Sequence, residues 1–350
     1  MIPKKTALKR YLPVLLAVLT FALTELAAAF PAFTETIYSR GLYPVIASIL
    51  SPVSNIFPFS VDDIFYLTLI FAFLTSTILV IFRKVKPGKY FLYLINTIAV
   101  VYTAFYWLWG FNYFRDNLYQ RMDLQDIKAS TENFRTALDL IIAEANNNKV
   151  DTFTLSKTEV NTLIEDSYKE LSPFLNIDYP QGKRDPKPIT LSSLFAKATI
   201  SGYFGPFFNE IHINRYLLPV EYPWTLAHEK SHQFGVTSEA EANFYAWLTC
   251  QNSGNKQIRY AGNLNLLFYF LYDARKLNDY KEIVSKLDPG VRKDISGIVD
   301  HWAKLRDKKI EKVAEKANDT YLKSNKIEKG IEDYDGVVKY VTDYIIQKKR

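Results

Sequence analysis

The amino-acid sequence predicts a mostly α-helical protein in two parts: a three-helix transmembrane region, then a mainly helical domain with a small β-sheet. Three observations carry this expectation. Long apolar runs are confined to the first third of the 350 residues. The remainder is charged and repeats its apolar residues at helical spacing. One short stretch near residue 210 alternates polar and apolar residues instead, as a strand does.

The transmembrane region comes first. Segments 11–30, 64–82 and 90–109 are apolar over about 20 residues each, enough to cross a hydrocarbon core of about 30 Å. Segment 42–59 is also apolar but is interrupted by Pro44, Pro52 and Pro58, and is assigned to the interface. Charge decides this count. Basic residues cluster at Lys4, Lys5, Lys9 and Arg10 and again at Arg83, Lys84, Lys86 and Lys89. Three spans put both clusters on one side, whereas a fourth would turn the second cluster outward, against the positive-inside bias. The expectation is a multi-pass cell-membrane protein with the lipid bilayer as partner. Its amino terminus is cytoplasmic and everything after the third span is extracytoplasmic. Tyr106, Trp107 and Trp109 suit an outer aromatic belt. The basic start, the apolar run and Ala27-Ala28-Ala29 also fit a cleavable signal peptide, whose removal leaves the later spans oriented as before. Glu25 is the one charge within the first span and is placed near the outer interface.

Residues 1–110 are thus the transmembrane region and 111–350 the outer domain. Leu124 to Ala145 spaces Ile127, Leu138, Ile141 and Ile142 as a helix does, and Ser156 to Leu171 reads similarly. Segment 181–188 is a charged loop. Glu210 to Asn214 is read either as an edge strand beside a substrate cleft, able to pair with an extended peptide, or as an ordinary strand. After Cys250 the chain is nearly all helical, punctuated by Gly290 and Gly330, and Leu264 to Leu271 is core. Cys250 is the single cysteine, which excludes an internal disulfide and a cysteine-rich metal site. The formal net charge of +6 collects in short clusters, the last being Lys348-Lys349-Arg350, so nucleic acid is not an expected partner.

The chemistry-bearing stretch is His228-Glu229-Lys230-Ser231-His232. On a helix His228 and His232 lie one turn apart on one face, so both imidazoles can reach one zinc ion. Glu229 sits about 100° round the helix, beside the metal rather than on it, where it can take a proton from water. Gly235 suits a left-handed helix end. A chance match on a surface helix is the bland alternative; with four histidines in the chain it is a rare event, and a third ligand would exclude it. Ser238 and Glu241 have the spacing of a capping box, so a second helix should start there. That gives Glu241 a structural task and leaves Glu239 free to turn to the metal, with Glu241 as the rival ligand. Asn243 shares the face of Glu239 at i, i+4 and is placed behind the ligands. His212 and His301 are assigned structural roles, and the pair Arg259-Tyr260 is read as packing or, alternatively, as a transition-state donor.

His228-Glu229-x-x-His232 followed by Glu239-x-x-Ala242-Asn243 resembles the gluzincin metallopeptidases, in which the Glu of such a second helix is the third ligand. More narrowly, the chain resembles an uncharacterised bacterial family of membrane-bound proteins read as zinc metallopeptidases and known only as a domain of unknown function. The likeness runs through Trp109 to Arg115, Ser201-Gly202, Pro206, Glu210, Asn214, His228 to Cys250, Asn318 to Lys323 and Tyr334 to Val338. It implies a zincin-like outer domain holding Zn2+ on His228, His232 and Glu239. Lys230 departs from the small or apolar residue the likeness implies and puts the local packing in question. The expected activity is hydrolysis of a peptide or protein substrate by metal-activated water, with Glu229 as base and then acid. The competing expectation is a zinc-containing membrane sensor or envelope scaffold without catalysis; an intact Glu229 favours the enzyme.

Overall fold

A computed structural model describes residues 4–349, with side chains from residue 9, so the expected cationic side chains of Lys4, Lys5 and Arg350 lie outside the described residues. The fold is mostly helical, with one small sheet and three apolar helices near the amino terminus. The chain divides into two compact units, one of 1–116 with Gly205–Glu210, the other of 117–204 with 211–350.

The first unit contains α1 (Lys4–Ala29), α2 (Pro31–Thr34), a π-helical stretch Glu35–Leu42, α3 (Tyr43–Ser54), α4 (Val61–Ile81) and α5 (Pro87–Leu108). Lys9–Ala29, α4 and α5 are long and apolar enough to cross a membrane. They turn bulky apolar groups outward: Phe71, Ile81 and Phe82 are each 70% exposed, a surface stable against lipid rather than water. The chain is membrane-anchored. The expected interfacial segment forms α3, whose 12 residues rise only about 18 Å, short of the hydrocarbon thickness. Helix α1 packs along α5, where Trp107 Nε1 donates to Thr20 Oγ1 at 3.1 Å. Glu35 and Arg115 form a buried two-pronged ion pair of 2.6 and 2.7 Å, which offsets the cost of removing both charges from water.

The segment Gly205–Glu210 is built into this same unit. Asn209 Oδ1 accepts from Ser51 Oγ at 2.6 Å and its Nδ2 donates to the Tyr43 hydroxyl at 2.9 Å. Glu210 caps the start of α4, its Oε2 accepting from the amides of Val61 and Asp62 at 2.9 and 3.0 Å. A carboxylate there satisfies amides that have no partner within the helix and complements the helix dipole.

The second unit comprises α6 (Leu118–Met122), α7 (Thr131–Asn148), α8 (Lys157–Leu171), β1 (Lys187–Pro188), α9 (Ser192–Lys197), β2 (Gly202–Gly205) except Gly205, β3 (Glu210–Ile213) except Glu210, α10 (Tyr222–Gln233), α11 (Glu239–Asn252), α12 (Lys256–Ala274), α13 (Tyr280–Ser285), α14 (Pro289–Leu305), α15 (Lys308–Ser324), a 3-10 turn Gly330–Gly336 and α16 (Val337–Lys349). Its core gathers α7, α8, α10, α11, α12 and α16 around Leu138, Ile164, Leu226, Phe244, Leu267 and Val341. The stretch Leu264–Leu271 lies in α12 and Leu264, Leu266, Leu267 and Phe270 are buried, as core placement requires. Two expectations are corrected. Helix α7 begins at Thr131, not near Leu124, because Ser130 Oγ accepts from Asn133 N at 3.1 Å and fixes the helix start. The sheet order is β1-β3-β2, so of the two readings of the Glu210 strand the edge is overturned and the ordinary, here central and buried, strand is met; β2 is an outer strand.

Candidate metal centre

Helices α10 and α11 pack tightly against each other and bring three side chains to one point. His228 and His232 lie one turn apart on α10, and Glu239 opens α11. His228 Nε2 is 3.2 Å from His232 Nε2; Glu239 Oε2 is 3.1 Å from the first and 3.5 Å from the second. Among the described residues this is the one group of three His, Cys, Asp or Glu side chains whose ligand atoms converge in this way. All three residues are buried.

The hydrogen bonds behind the ligands fix what those atoms are. His232 Nδ1 faces the carbonyl oxygen of Val236 at 2.8 Å and must donate to it. His228 Nδ1 faces Asn243 Oδ1 at 2.9 Å. The Asn243 amide is held in that sense because its Nδ2 donates to the Tyr269 hydroxyl and to the Tyr334 carbonyl, at 3.1 and 3.4 Å. With both Nδ1 atoms carrying protons, both neutral Nε2 atoms are lone-pair acceptors. The third atom, Glu239 Oε2, is buried and receives no hydrogen bond. Three acceptors aimed at one point repel unless a cation lies between them. Their separations match the edges of a tetrahedral site, about 3.3 Å for metal–ligand bonds of about 2.0–2.1 Å. The residues fit a metal with two imidazoles and one carboxylate. Without an ion between the three atoms, a proton on an imidazole takes the cation's place beside Glu239. Burial disfavours a charged His232, but Glu239 outweighs it and raises the group to about 9. For Glu239 burial acts upward, and the two histidines overcome it and hold the carboxyl well below its usual range.

Glu229 stands beside this triangle. Burial pushes its carboxyl up to about 7, with the histidines pulling downward and Glu239 adding to the rise. It lies against β2: a Cβ on Gly202 would sit 2.8 Å from Glu229 Oε1 and 2.9 Å from His212 O, so only glycine lets the strand pass this close. Glu241 is turned away. Its carboxylate accepts from Leu118 N at 3.0 Å and forms a buried ion pair with Arg121. The capping box is therefore only half made: Ser238 Oγ accepts from Glu241 N at 3.3 Å, but the Glu241 side chain does not return the bond. Gly235 takes φ 82° just beyond α10, the left-handed ending expected of it.

Two residues of the 3-10 turn escaped the sequence reading as site residues. Asp333 Oδ2 accepts from Ser238 Oγ at 2.7 Å and from the amides of Glu239 and Ala240 at 2.8 and 3.2 Å, and so pins the start of α11. The Tyr334 ring lies parallel to His228 at 6.4 Å. Burial, then the nearby Glu239, raises its phenol well above the ordinary value, so it stays a neutral donor. The sole signal for this turn is the distant family-like segment beginning at Tyr334. His212 stacks on Tyr203 at 4.2 Å, His301 bonds the Tyr216 carbonyl at 2.6 Å, and Tyr260 donates to Asp294 at 2.5 Å. None of these joins the triangle. Arg259 reaches Asn148 and Ser253.

The chain belongs to the family described as protein of unknown function (DUF3810), whose model matches residues 38–342. That span takes in α4, α5 and every residue of the site just described. No curated protein and no solved structure matches the chain.

Proposed function

We propose that this family member is a membrane-anchored zinc-dependent peptidase. The observation that carries the reading is the pairing of three converging acceptors with a separate buried carboxylate, Glu229, that is not among them. A purely structural metal site closes its coordination with protein ligands and has no use for such a group. His228, His232 and Glu239 would hold the ion, and the outer domain would be zincin-like. The bound metal supplies Lewis acidity and a water of lowered pKa.

The chain's own groups do the rest. Glu229 takes a proton from the attacking water and passes it to the departing amine nitrogen. Asn243 and the Val236 carbonyl keep the two imidazoles in the tautomer that presents Nε2. Tyr334, whose ring stacks beside His228, would be the neutral donor to negative charge developing on the carbonyl oxygen. The outer strand β2 passes the base at Gly202, where an extended chain can be laid against the sheet.

The test is Glu229→Gln, which keeps shape and hydrogen bonding but removes the base. Metal analysis of the purified variant should match the parent, while hydrolysis of a mixed peptide library falls by about 10²–10⁴-fold. The rival reading, a sensor or scaffold that keeps the metal for structure, requires parent and variant to be alike, with neither cleaving anything.

A further inference from the structure

We infer that the substrate is a peptide anchored in the same membrane and cut within a few residues of the bilayer surface. This deepens the peptidase reading and rests on it. Two close approaches at the ends of β2 carry the argument. At Gly202 the strand lies against Glu229, with no room for a Cβ. At Gly205 a Cβ would collide with the carboxylate of Asp62, in the first turn of α4. Gly205 begins the segment built into the first unit. There Phe207 and Phe208 pack their rings on Phe65 at 4.9 and 5.8 Å, and Phe207 also meets Phe105 of α5 at 6.5 Å. These aromatic contacts, the Asn209 bonds to Ser51 and Tyr43 and the Glu210 cap hold the segment among the membrane helices.

Covalent reach then sets a bound that holds however the two units are disposed. Three residues separate Gly202 from Gly205, and such a stretch extends at most about 11 Å. The other end of the bound is the bilayer surface. Helix α4 has 21 residues and rises about 31 Å, matched to a hydrocarbon core of about 30 Å, so its first turn lies at the interface. The base is therefore tethered within about three extended residues of that interface. A peptide emerging from the bilayer meets the base in its first few residues. Segments farther out can be cut only by folding back, and a free peptide has nothing to hold it there.

The experiment uses the full-length, zinc-loaded protein in phosphatidylethanolamine–phosphatidylglycerol vesicles. Its substrates carry one cleavable test segment in three settings: after a single membrane span with a spacer of about 4 residues, after the same span with a spacer of about 30 residues, and free in solution. Products are mapped by mass spectrometry. Cuts should stay within about ten residues of the span in both anchored substrates. Lengthening the spacer should therefore lower cutting of the test segment about ten-fold and move the cuts into the spacer, and the free segment should be the poorest substrate. If the cuts follow the test segment outward at unchanged rate, or the free peptide is cut as fast, the membrane-proximal substrate is wrong while the peptidase stands. If none of the three is cut by metal-loaded protein, the peptidase reading falls and this inference with it.

Discussion

Lys230 places a charge inside the metal-binding stretch, and its side chain is wholly buried. It is tolerated because Glu165 and Arg184 come to it from elsewhere in the chain. Its ammonium pairs with Glu165 and donates to the Arg184 carbonyl at 3.0 Å, while Arg184 Nη2 meets Glu165 at 2.8 Å. Burial by itself would raise the Glu165 carboxyl, but Lys230 and Arg184 overcome it and hold the group down at about 2. A carboxyl whose folded pKa lies below its unfolded value stabilises the fold above the unfolded pKa, and the contribution disappears as pH falls through the folded one. Glu165 should therefore add stability above about pH 4.5 and lose it between there and about pH 2. Thermal unfolding in detergent should show Glu165→Gln destabilised by about 3–5 kcal/mol at neutral pH, because Lys230 is left buried without its partner. Lys230→Met, which removes the charge and keeps the volume, should cost much less. Equal losses in the two variants would reject this account. The same residues mark where sequence reading stops. The spacing of His228, His232, Glu239 and Asn243 made the site legible, because helical periodicity converts sequence separation directly into direction. The partners of Lys230 lie 65 and 46 positions away, where no local pattern reaches.

At the scale of elements, the site depends on how α11 begins. Ser238 starts the helix as its spacing foretold, but the Glu241 side chain does not complete the box; Asp333 from the 3-10 turn instead accepts from the Ser238 hydroxyl and the first two amides of the helix. Glu241 was free to be recruited by Arg121, and that pair ties α11 to α6. Asp333 acts on the backbone amide of Glu239 itself, so it sets the direction from which that carboxylate approaches the histidines. The variant Asp333→Ala should weaken metal affinity by about 10–100-fold, as loss of a group orienting a ligand does, with about 1 kcal/mol lost from the helix start. Competition with a calibrated chelator measures the first and thermal unfolding the second. Unchanged metal affinity would make Asp333 a helix cap and nothing more. In the same way the sequence placed α8 well, because Ser156 and Glu159 form a complete local capping box. It misplaced α7 because Leu124 is buried in the core from a non-helical stretch, which mimics a helical position.

For the whole molecule, the decisive question is which side of the membrane each part occupies. Helices Lys9–Ala29, α4 and α5 are the three candidate spans, and an odd number of crossings places the ends of the chain on opposite sides. The connection between α4 and α5 is five residues long and carries Arg83, Lys84 and Lys86, with Lys89 just inside α5. Basic residues beside spans are retained on the cytoplasmic side. The bias therefore predicts a cytoplasmic connection and a cytoplasmic amino terminus. On that expectation the start of α4 and the segment built against it would face out of the cytoplasm, and so would the chain that follows the third span. Cleavage of α1 would not change this, since α4 and α5 keep their orientation relative to the basic connection. The helix Tyr43–Ser54 is the element able to upset the count. Its 12 residues are too few to cross alone, and Pro52 interrupts it near its end. Alkaline phosphatase, which is active only outside the cytoplasm, should be inactive when fused at Lys86 and active when fused after Arg350. Activity at Lys86 and silence at the carboxy terminus would invert the topology and place the metal centre in the cytoplasm.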